Sequence, residues 1–186
     1  MRRLHLSAVV LAGAVVVLAG CGGGGGSSSS GSSGTSAADW AASYCKNATS
    51  WVTSLDQARA SVKSGSSTAS DAAQTVSTES TTFIQAVNGQ GSPDTPNGST
   101  SQATAKSLAT TLSGRVARMS AAIDTNNSSV TAAQQTAIVK QQIAASLTDI
   151  KTTNATLAKD DPELGTAMKA SSDCKSLDAA LAKASA

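Results

Sequence analysis

The feature that most constrains this fold is the spacing of its apolar residues, which recur every three or four positions through five segments. Residues at this spacing lie on one face of an α-helix. The third segment shows the pattern most clearly, with Leu108, Leu112, Val116, Met119 and Ile123. No segment shows the sustained alternation of a strand. We therefore predict an all-α fold, an antiparallel bundle of four to five helices.

The predicted helices span residues 37–63, 70–87, 101–124, 131–159 and 162–182. Ser36 precedes the first helix with Asp39 three positions later, which is typical of an N-terminal cap. Gly65 is expected to end that helix. Ser70 and Asp71 are expected to cap the second helix. Consecutive long helices joined by short turns should pack as neighbours.

The chain has only four aromatic residues, Trp40, Tyr44, Trp51 and Phe83, so the core must consist mainly of Ala, Leu, Val and Ile. Trp40, Tyr44 and Trp51 share one face of the first predicted helix. Such a row either joins the core or, if exposed, stacks on sugar rings. A domain with so few large apolar side chains favours the core.

The first 21 residues have the layout of an export signal. Arg2 and Arg3 precede an apolar stretch, residues 4–18, which is too short for the roughly 20 residues that span a bilayer. The stretch ends in Leu18-Ala19-Gly20-Cys21, which resembles a bacterial lipobox. The resemblance implies that residues 1–20 are cleaved and that acyl chains attached to Cys21 hold the protein on the membrane. The alternatives are a transmembrane segment and ordinary secretion.

Residues 21–36 follow as a linker rich in Gly and Ser. A coil of this composition stays disordered and spans about 20 Å. Residues 37–186 then form one helical domain. Residues 1–36 together resemble the small Gly/Ser-linked lipoproteins of high-GC Gram-positive bacteria. That resemblance implies a location on the extracytoplasmic face of the cell membrane, and it identifies no family for the domain.

With Cys21 assigned to lipid, Cys45 in the first helix and Cys174 in the last helix remain. Two thiols outside the cytoplasm are expected to form a disulfide. The alternatives are a redox-active pair and two separate buried thiols. Catalytic dithiols usually occur as Cys-x-x-Cys, which this chain lacks.

Several functional classes conflict with the composition. Loss of Arg2 and Arg3 leaves twelve basic against twelve acidic residues, so the mature chain has no excess charge for nucleic acid. His5 is the only histidine and would leave with the signal peptide. Catalysis by histidine and metal or haem sites based on it are therefore excluded. We predict no enzymatic activity, no metal and no cofactor.

An acidic cluster, Asp160, Asp161 and Glu163, surrounds Pro162. Carboxylates are ligands for calcium, but the cluster lacks the spacing of an EF-hand loop. Asp161 as N-cap, Pro162 as first helical residue and Glu163 in the first turn explain the cluster through helix capping. We favour capping.

Basic residues on the third helix form a second candidate site. Arg115 and Arg118 lie one turn apart, and Lys106 lies two to three turns before them. The three are candidates for contact with phosphate or an anionic polymer. A solvated helix face explains them equally simply, and we favour that interpretation.

The connection at residues 88–99 is longer and richer in Pro and Gly than a helix turn requires. Loops of this kind often carry recognition. Pro93, Asp94 and Pro96 are therefore the candidate recognition surface. The alternative is a flexible connection with no role in recognition.

The preferred functional prediction is a non-enzymatic, lipid-anchored binding module whose partner is an envelope protein, a lipid or a wall polymer. An alternative is a helical carrier of a lipid or other apolar ligand. A cell-wall hydrolase that uses carboxylates alone is the least favoured hypothesis.

Overall fold

Six α-helices account for nearly all of the chain that the computed structural model describes, residues 34–123 and 130–185. They are α1 (Ala37–Ser64), α2 (Ala69–Gly89), α3 (Gly98–Ile123), α4 (Ala132–Asp160), α5 (Pro162–Ala170) and α6 (Ser172–Ala184). These ranges contain no strand, which confirms the predicted all-α class. The predicted signal peptide, Cys21 and most of the linker lie outside the described residues.

Helices α1 to α4 follow one another up and down, and each packs against the next. Helix α6 packs extensively on α1 and runs in the same direction. Cys174 near its start joins Cys45 near the start of α1, and Lys183 near its end approaches Asp56 further along α1. The last helix therefore closes the bundle against the first.

The helix ends largely agree with the sequence prediction. Ser36 accepts a hydrogen bond from the Asp39 amide, and Gly65 ends α1 in the left-handed conformation at φ 74°. At α2 the predicted role of Asp71 in the cap is confirmed, but the N-cap is Thr68, two residues before Ser70. Thr68 and Asp71 form a reciprocal capping box, so the hydroxyl and carboxylate satisfy amides that the first turn leaves free.

The predicted final helix is two helices. Ser171 accepts a hydrogen bond from the Cys174 amide and is the N-cap of α6 while it ends α5. Its backbone is extended, at φ −64° and ψ 131°, which interrupts helical hydrogen bonding. Because of this break, α5 packs on α1 and α4 while α6 lies mainly along α1.

The aromatic residues form the centre of the core. Trp40 stacks on Tyr44 with centroids 5.1 Å apart, and Trp51 stacks on Phe83 at 5.0 Å. Tyr44 and Phe83 join the two pairs at 6.1 Å. Among the predicted stripe residues of the third helix, Val116 is only half-buried, whereas its four companions are buried.

Cys45 and Cys174 form the predicted disulfide. The interpretation as two separate thiols is therefore wrong. Both residues are buried, at 0% and 5% exposure, whereas exchange-active cysteines need access for an attacking thiol. The bond therefore fastens α6 to α1 inside the domain.

Candidate functional site

The candidate recognition loop lies between α2 and α3, and it fixes the start of the domain. Pro93 is buried and faces Thr35 in an isolated parallel bridge. The Thr35 amide donates to the Ser92 carbonyl at 3.3 Å, and the Asp94 amide donates to the Thr35 carbonyl at 2.8 Å. Asp94 and Pro96 are exposed. Only two of the three predicted recognition residues are thus accessible, and their role in recognition stays a prediction.

Further hydrogen bonds attach this loop to the neighbouring helices. The Trp40 indole donates to the Gly91 carbonyl at 2.7 Å. Thr95 donates to the Asp161 carboxylate at 2.5 Å, and Asn97 donates to the Asp160 carbonyl at 2.8 Å. We call this end of the bundle, where Thr35 enters, the tether end.

Asp161 in the acidic cluster is the N-cap of α5. Its carboxylate is buried and accepts hydrogen bonds from the Leu164 amide and from the hydroxyls of Thr95 and Ser101. Burial by itself raises the pKa of Asp161, but these hydrogen bonds outweigh it and hold the pKa below the ordinary value. The carboxylate thus has a structural role, as the capping interpretation predicts.

The acidic cluster does not converge as a metal site would. Within residues 34–123 and 130–185, no three or more side chains of the metal-ligating types come together. Asp160 and Glu163 are exposed, whereas Asp161 is buried.

The predicted row of Trp40, Tyr44 and Trp51 is at most 1% exposed, so these rings cannot form a sugar-stacking surface. The Tyr44 hydroxyl donates to Asn154 at 3.0 Å, and the Trp51 indole donates to Ser80 at 3.0 Å. Burial raises the pKa of the Tyr44 phenol well above its ordinary value. The core interpretation is confirmed.

The three basic residues of α3 have different surroundings. Arg115 forms a two-point ion pair with Asp149 of α4, at 2.5 and 3.0 Å. Arg118 and Lys106 are exposed. One of the two guanidinium groups of the predicted set is thus already engaged within the protein.

A different set of cations surrounds a cleft between α1 and α4. The cleft has a volume of about 440 Å³ and is lined by Asp56, Arg59, Ala60, Lys63, Lys140 and Ala144. We call it the basic cleft. Its volume falls within the range of small-molecule and side-group binding sites, about 300–1,000 Å³.

Helix geometry aligns the charges of the basic cleft. Arg59 and Lys63 are four positions apart, one turn along α1. Lys140 lines the same cleft from α4, one turn before Ala144. The two alanines are exposed and carry only a methyl group, so they leave the space between the cations open.

The positive charge of the basic cleft is only partly neutralised. Asp56 pairs with Arg59 at 3.2 Å and with Lys183 at 3.7 Å. Neither Lys63 nor Lys140 forms an ion pair with any described residue. The lining thus has three cations and one carboxylate, and that carboxylate is shared with a fourth cation. This arrangement attracts anions.

Sequence reasoning missed the basic cleft, although it sought an anion site on the neighbouring α3. Arg59 and Lys63 at a four-residue spacing were a visible signal. Lys140, however, is 77 positions further along the chain and joins them only because α1 packs beside α4.

A second cleft of about 270 Å³ opens between α4, α5 and α6. Its apolar lining includes Met168, Leu177 and Leu181, and Lys151 and Lys169 also line it. Gly165 brings α5 close to α4, because a methyl group there would lie 2.5 Å from the Ala158 carbonyl oxygen.

None of the described helices combines the length and apolar character needed to cross a bilayer. No protein family model, no curated protein and no solved structure matches this chain. Its function must therefore be inferred from the residues themselves.

Proposed function

We propose that this chain is a lipid-anchored protein of the extracytoplasmic envelope and that its helical domain is a non-enzymatic binding module for an anionic partner. The basic cleft is the observation that carries the binding proposal. Lys63 and Lys140, two lysines that form no ion pair within the described residues, both line it together with Arg59. Such a site attracts and holds an anionic group without any need for a catalytic residue.

The anchoring part of the proposal depends on the N-terminal sequence. The lipobox-like Leu18-Ala19-Gly20-Cys21 and the Gly/Ser-rich residues that follow predict an acylated tether. The Cys45–Cys174 disulfide supports a location outside the cytoplasm, because such bonds persist mainly in oxidising compartments.

The tether would enter the domain at a fixed point. Thr35 hydrogen bonds to both Ser92 and Asp94, and Ser36 caps α1 directly afterwards. From Ser36 to Lys63, α1 rises by about 40 Å. The basic cleft therefore lies towards the end of α1 that is remote from Thr35.

Anchoring can be tested on the full-length chain in a bacterial host with lipoprotein processing. Mass spectrometry of Cys21 should find acyl chains, and the protein should fractionate with membranes. The Cys21→Ala variant should lack the acyl mass. An unmodified Cys21 with the leader still attached would refute the anchoring.

Cross-linking in intact cells tests binding. A specific envelope component should be recovered with the wild-type chain and lost with the double variant Lys63→Glu/Lys140→Glu. The matched control is Lys106→Glu/Lys175→Glu, which changes the charge equally at two exposed lysines outside the basic cleft. Equal recovery with both double variants would refute the basic cleft as the binding site.

The alternative function, a carrier of an apolar ligand, draws on the cleft between α4, α5 and α6. Its lining of Met168, Leu177 and Leu181 is apolar, but its volume of about 270 Å³ is small for a lipid. Native mass spectrometry of protein purified from its host would test this function. Copurified lipid, together with increased thermal stability on adding lipid, would favour the carrier over the anionic binding module.

A further inference from the structure

The cleft between α4, α5 and α6, which we call the α5 cleft, reaches the hydrophobic core. Met168, Leu177 and Leu181 line it, although they are only 8%, 1% and 7% exposed. Ala155 and Ala158 of α4 complete its apolar lining. Water in contact with these groups is unfavourable, and an apolar body that replaces it is favoured. The α5 cleft therefore suits a ligand with an apolar part.

The ionisable groups of the α5 cleft carry an excess of positive charge. Lys151, Lys169 and Asp178 line it, and all three are exposed. None of them forms an ion pair with any described residue. Two ammonium groups against one carboxylate give the lining a net charge of +1. Such a lining favours an anionic ligand.

Asn154 adds a hydrogen-bond donor to the same lining. Its Oδ1 accepts a hydrogen bond from the buried Tyr44 hydroxyl at 3.0 Å, whereas its amide nitrogen donates to no described residue. An amide nitrogen carries two N–H donors. The polar side chains of the α5 cleft thus offer mainly donors, which suits a head group that accepts hydrogen bonds.

The volume of the α5 cleft limits the size of the ligand. The cleft measures about 270 Å³. A water molecule occupies about 30 Å³ in the liquid and a methylene group is of similar size, so about nine such groups fit. Octanoate is of this size, whereas a long-chain fatty acid or a diacyl lipid is larger. A monoanion also matches the net charge of the lining, whereas a phosphate monoester carries about 1.5 to 2 negative charges.

We propose that the α5 cleft binds an amphiphilic monoanion about the size of octanoate. The apolar part of the ligand lies against Met168, Leu177 and Leu181, and its head group lies near Lys151 and Lys169. This site is separate from the basic cleft and does not rest on the proposed function. It also differs from the site of a lipid carrier, because its ligand is short and anionic.

Binding is measured by NMR on the full-length Cys21→Ala chain, which lacks the lipid attachment, with ¹³C in the methionine methyl groups. Met168 lines the α5 cleft, whereas Met119 is fully buried elsewhere in the core and provides an internal reference. We expect octanoate to shift the Met168 resonance saturably and to leave that of Met119 unchanged. Octylamine, which has the opposite charge, should bind at least about tenfold more weakly.

Chain length tests the size of the site. Octanoate should bind about tenfold more tightly than hexanoate, because each buried methylene group strengthens binding about fourfold. Dodecanoate should gain less than about threefold over octanoate, because its additional methylene groups remain in water.

Two double variants test the position of the head group. Lys151→Glu/Lys169→Glu should weaken octanoate binding by about tenfold or more. Lys63→Glu/Lys140→Glu changes the net charge equally but lies in the basic cleft. Lys140 is about 16 Å from Lys151 along α4, beyond the Debye length, so this control should change octanoate binding by less than about twofold.

A cavity-filling variant tests the position of the apolar part. Ala155 is exposed and lines the α5 cleft, so Ala155→Phe should fill the cleft and weaken octanoate binding by about tenfold or more. The matched control is Ala103→Phe, at an exposed alanine of α3 outside the cleft, which should bind octanoate as the parent chain does. Circular dichroism of each variant verifies that the helices are intact.

Equal weakening by a cleft variant and its matched control would overturn the α5 cleft as the site. Equal binding of octanoate and octylamine would overturn the anionic head group. Binding that continues to tighten by about fourfold per methylene group up to dodecanoate would overturn the short ligand and favour the lipid carrier. No shift of Met168 with octanoate would overturn the whole proposal. The anionic binding module would stand in each case, because cross-linking in cells tests it through the basic cleft.

Discussion

The Ser101 hydroxyl donates a hydrogen bond to the Asp161 carboxylate over 2.9 Å and joins the first turn of α3 to the N-cap of α5. The same carboxylate accepts from Thr95 in the connection between α2 and α3 and from the Leu164 amide. One buried acid therefore holds together three parts of the tether end.

Asp161→Asn should destabilise the domain by about 1.5–3 kcal/mol at pH 7, because the hydrogen bonds to a charged acceptor are replaced by weaker ones. Urea unfolding at fixed pH measures the loss. The exposed Glu163→Gln provides the control and should cost less than about 0.5 kcal/mol. Equal stability of Asp161→Asn and wild type would contradict the role of this carboxylate.

Asp161 also predicts that the stability of the domain falls at acidic pH. Hydrogen bonds hold the pKa of folded Asp161 below its ordinary value despite burial, so the folded state favours the charged form. The resulting stability is fully present above the unfolded pKa of about 4 and is lost as pH falls through the folded pKa. The free energy of unfolding of the wild type should therefore decrease more steeply below about pH 4 than that of Asp161→Asn. If the free energies of unfolding of the wild type and Asp161→Asn changed in parallel with pH, the prediction would be refuted.

Tyr44 predicts that the stability of the domain falls at alkaline pH. Burial raises the pKa of its phenol, so the folded state favours the neutral form. Its contribution is complete below the unfolded pKa of about 10 and is lost as pH rises beyond it. Tyr44→Phe should cost about 1 kcal/mol at pH 7 through the lost hydrogen bond to Asn154. Denaturant unfolding should show that the difference in free energy of unfolding between Tyr44→Phe and the wild type shrinks above about pH 10. A difference independent of pH would contradict the prediction.

The disulfide predicts that reduction lowers the stability of the domain by a large amount. Cys45 and Cys174 are 129 positions apart, and closing so long a loop restricts the unfolded chain. The chain-entropy model gives about 4–5 kcal/mol for it. The variant Cys45→Ala/Cys174→Ala should unfold at correspondingly lower urea concentration, and dithiothreitol should lower only the wild-type midpoint. A reductant effect on the double variant would show that the disulfide is not the cause.

Two glycines in α3 predict opposite responses to alanine. A methyl group at Gly98 would overlap the carbonyl oxygen of Pro93, whereas at Gly114 the nearest such atom is the end of the Arg118 side chain, 3.6 Å away. Gly98→Ala should cost about 1–3 kcal/mol by displacing the loop that binds Thr35. Gly114→Ala should instead add about 0.5–1 kcal/mol, because alanine loses less backbone entropy in a helix. Thermal unfolding measures both midpoints. A Gly98→Ala midpoint equal to or above that of the wild type would show that the Pro93 carbonyl does not restrict position 98.

The short-range features of this fold were predictable from neighbouring residues. Ser36, Gly65 and Asp161 end or begin helices through contacts within three or four positions, which the sequence displays directly. The break at Ser171 was missed, although Ser171 caps α6 in the same way. Apolar periodicity continues through the break and hides it.

The sequence by itself determined the helical class, the burial of Trp40, Tyr44 and Trp51, and the pairing of Cys45 with Cys174. Helical period and the scarcity of large apolar side chains and free thiols left few alternatives. The tertiary structure decided that Arg115 pairs with Asp149 while Lys140 joins Lys63 at the basic cleft. Such partners are far apart in the chain. Only the choice of which helices lie side by side determines whether a charge is neutralised or left available to a ligand.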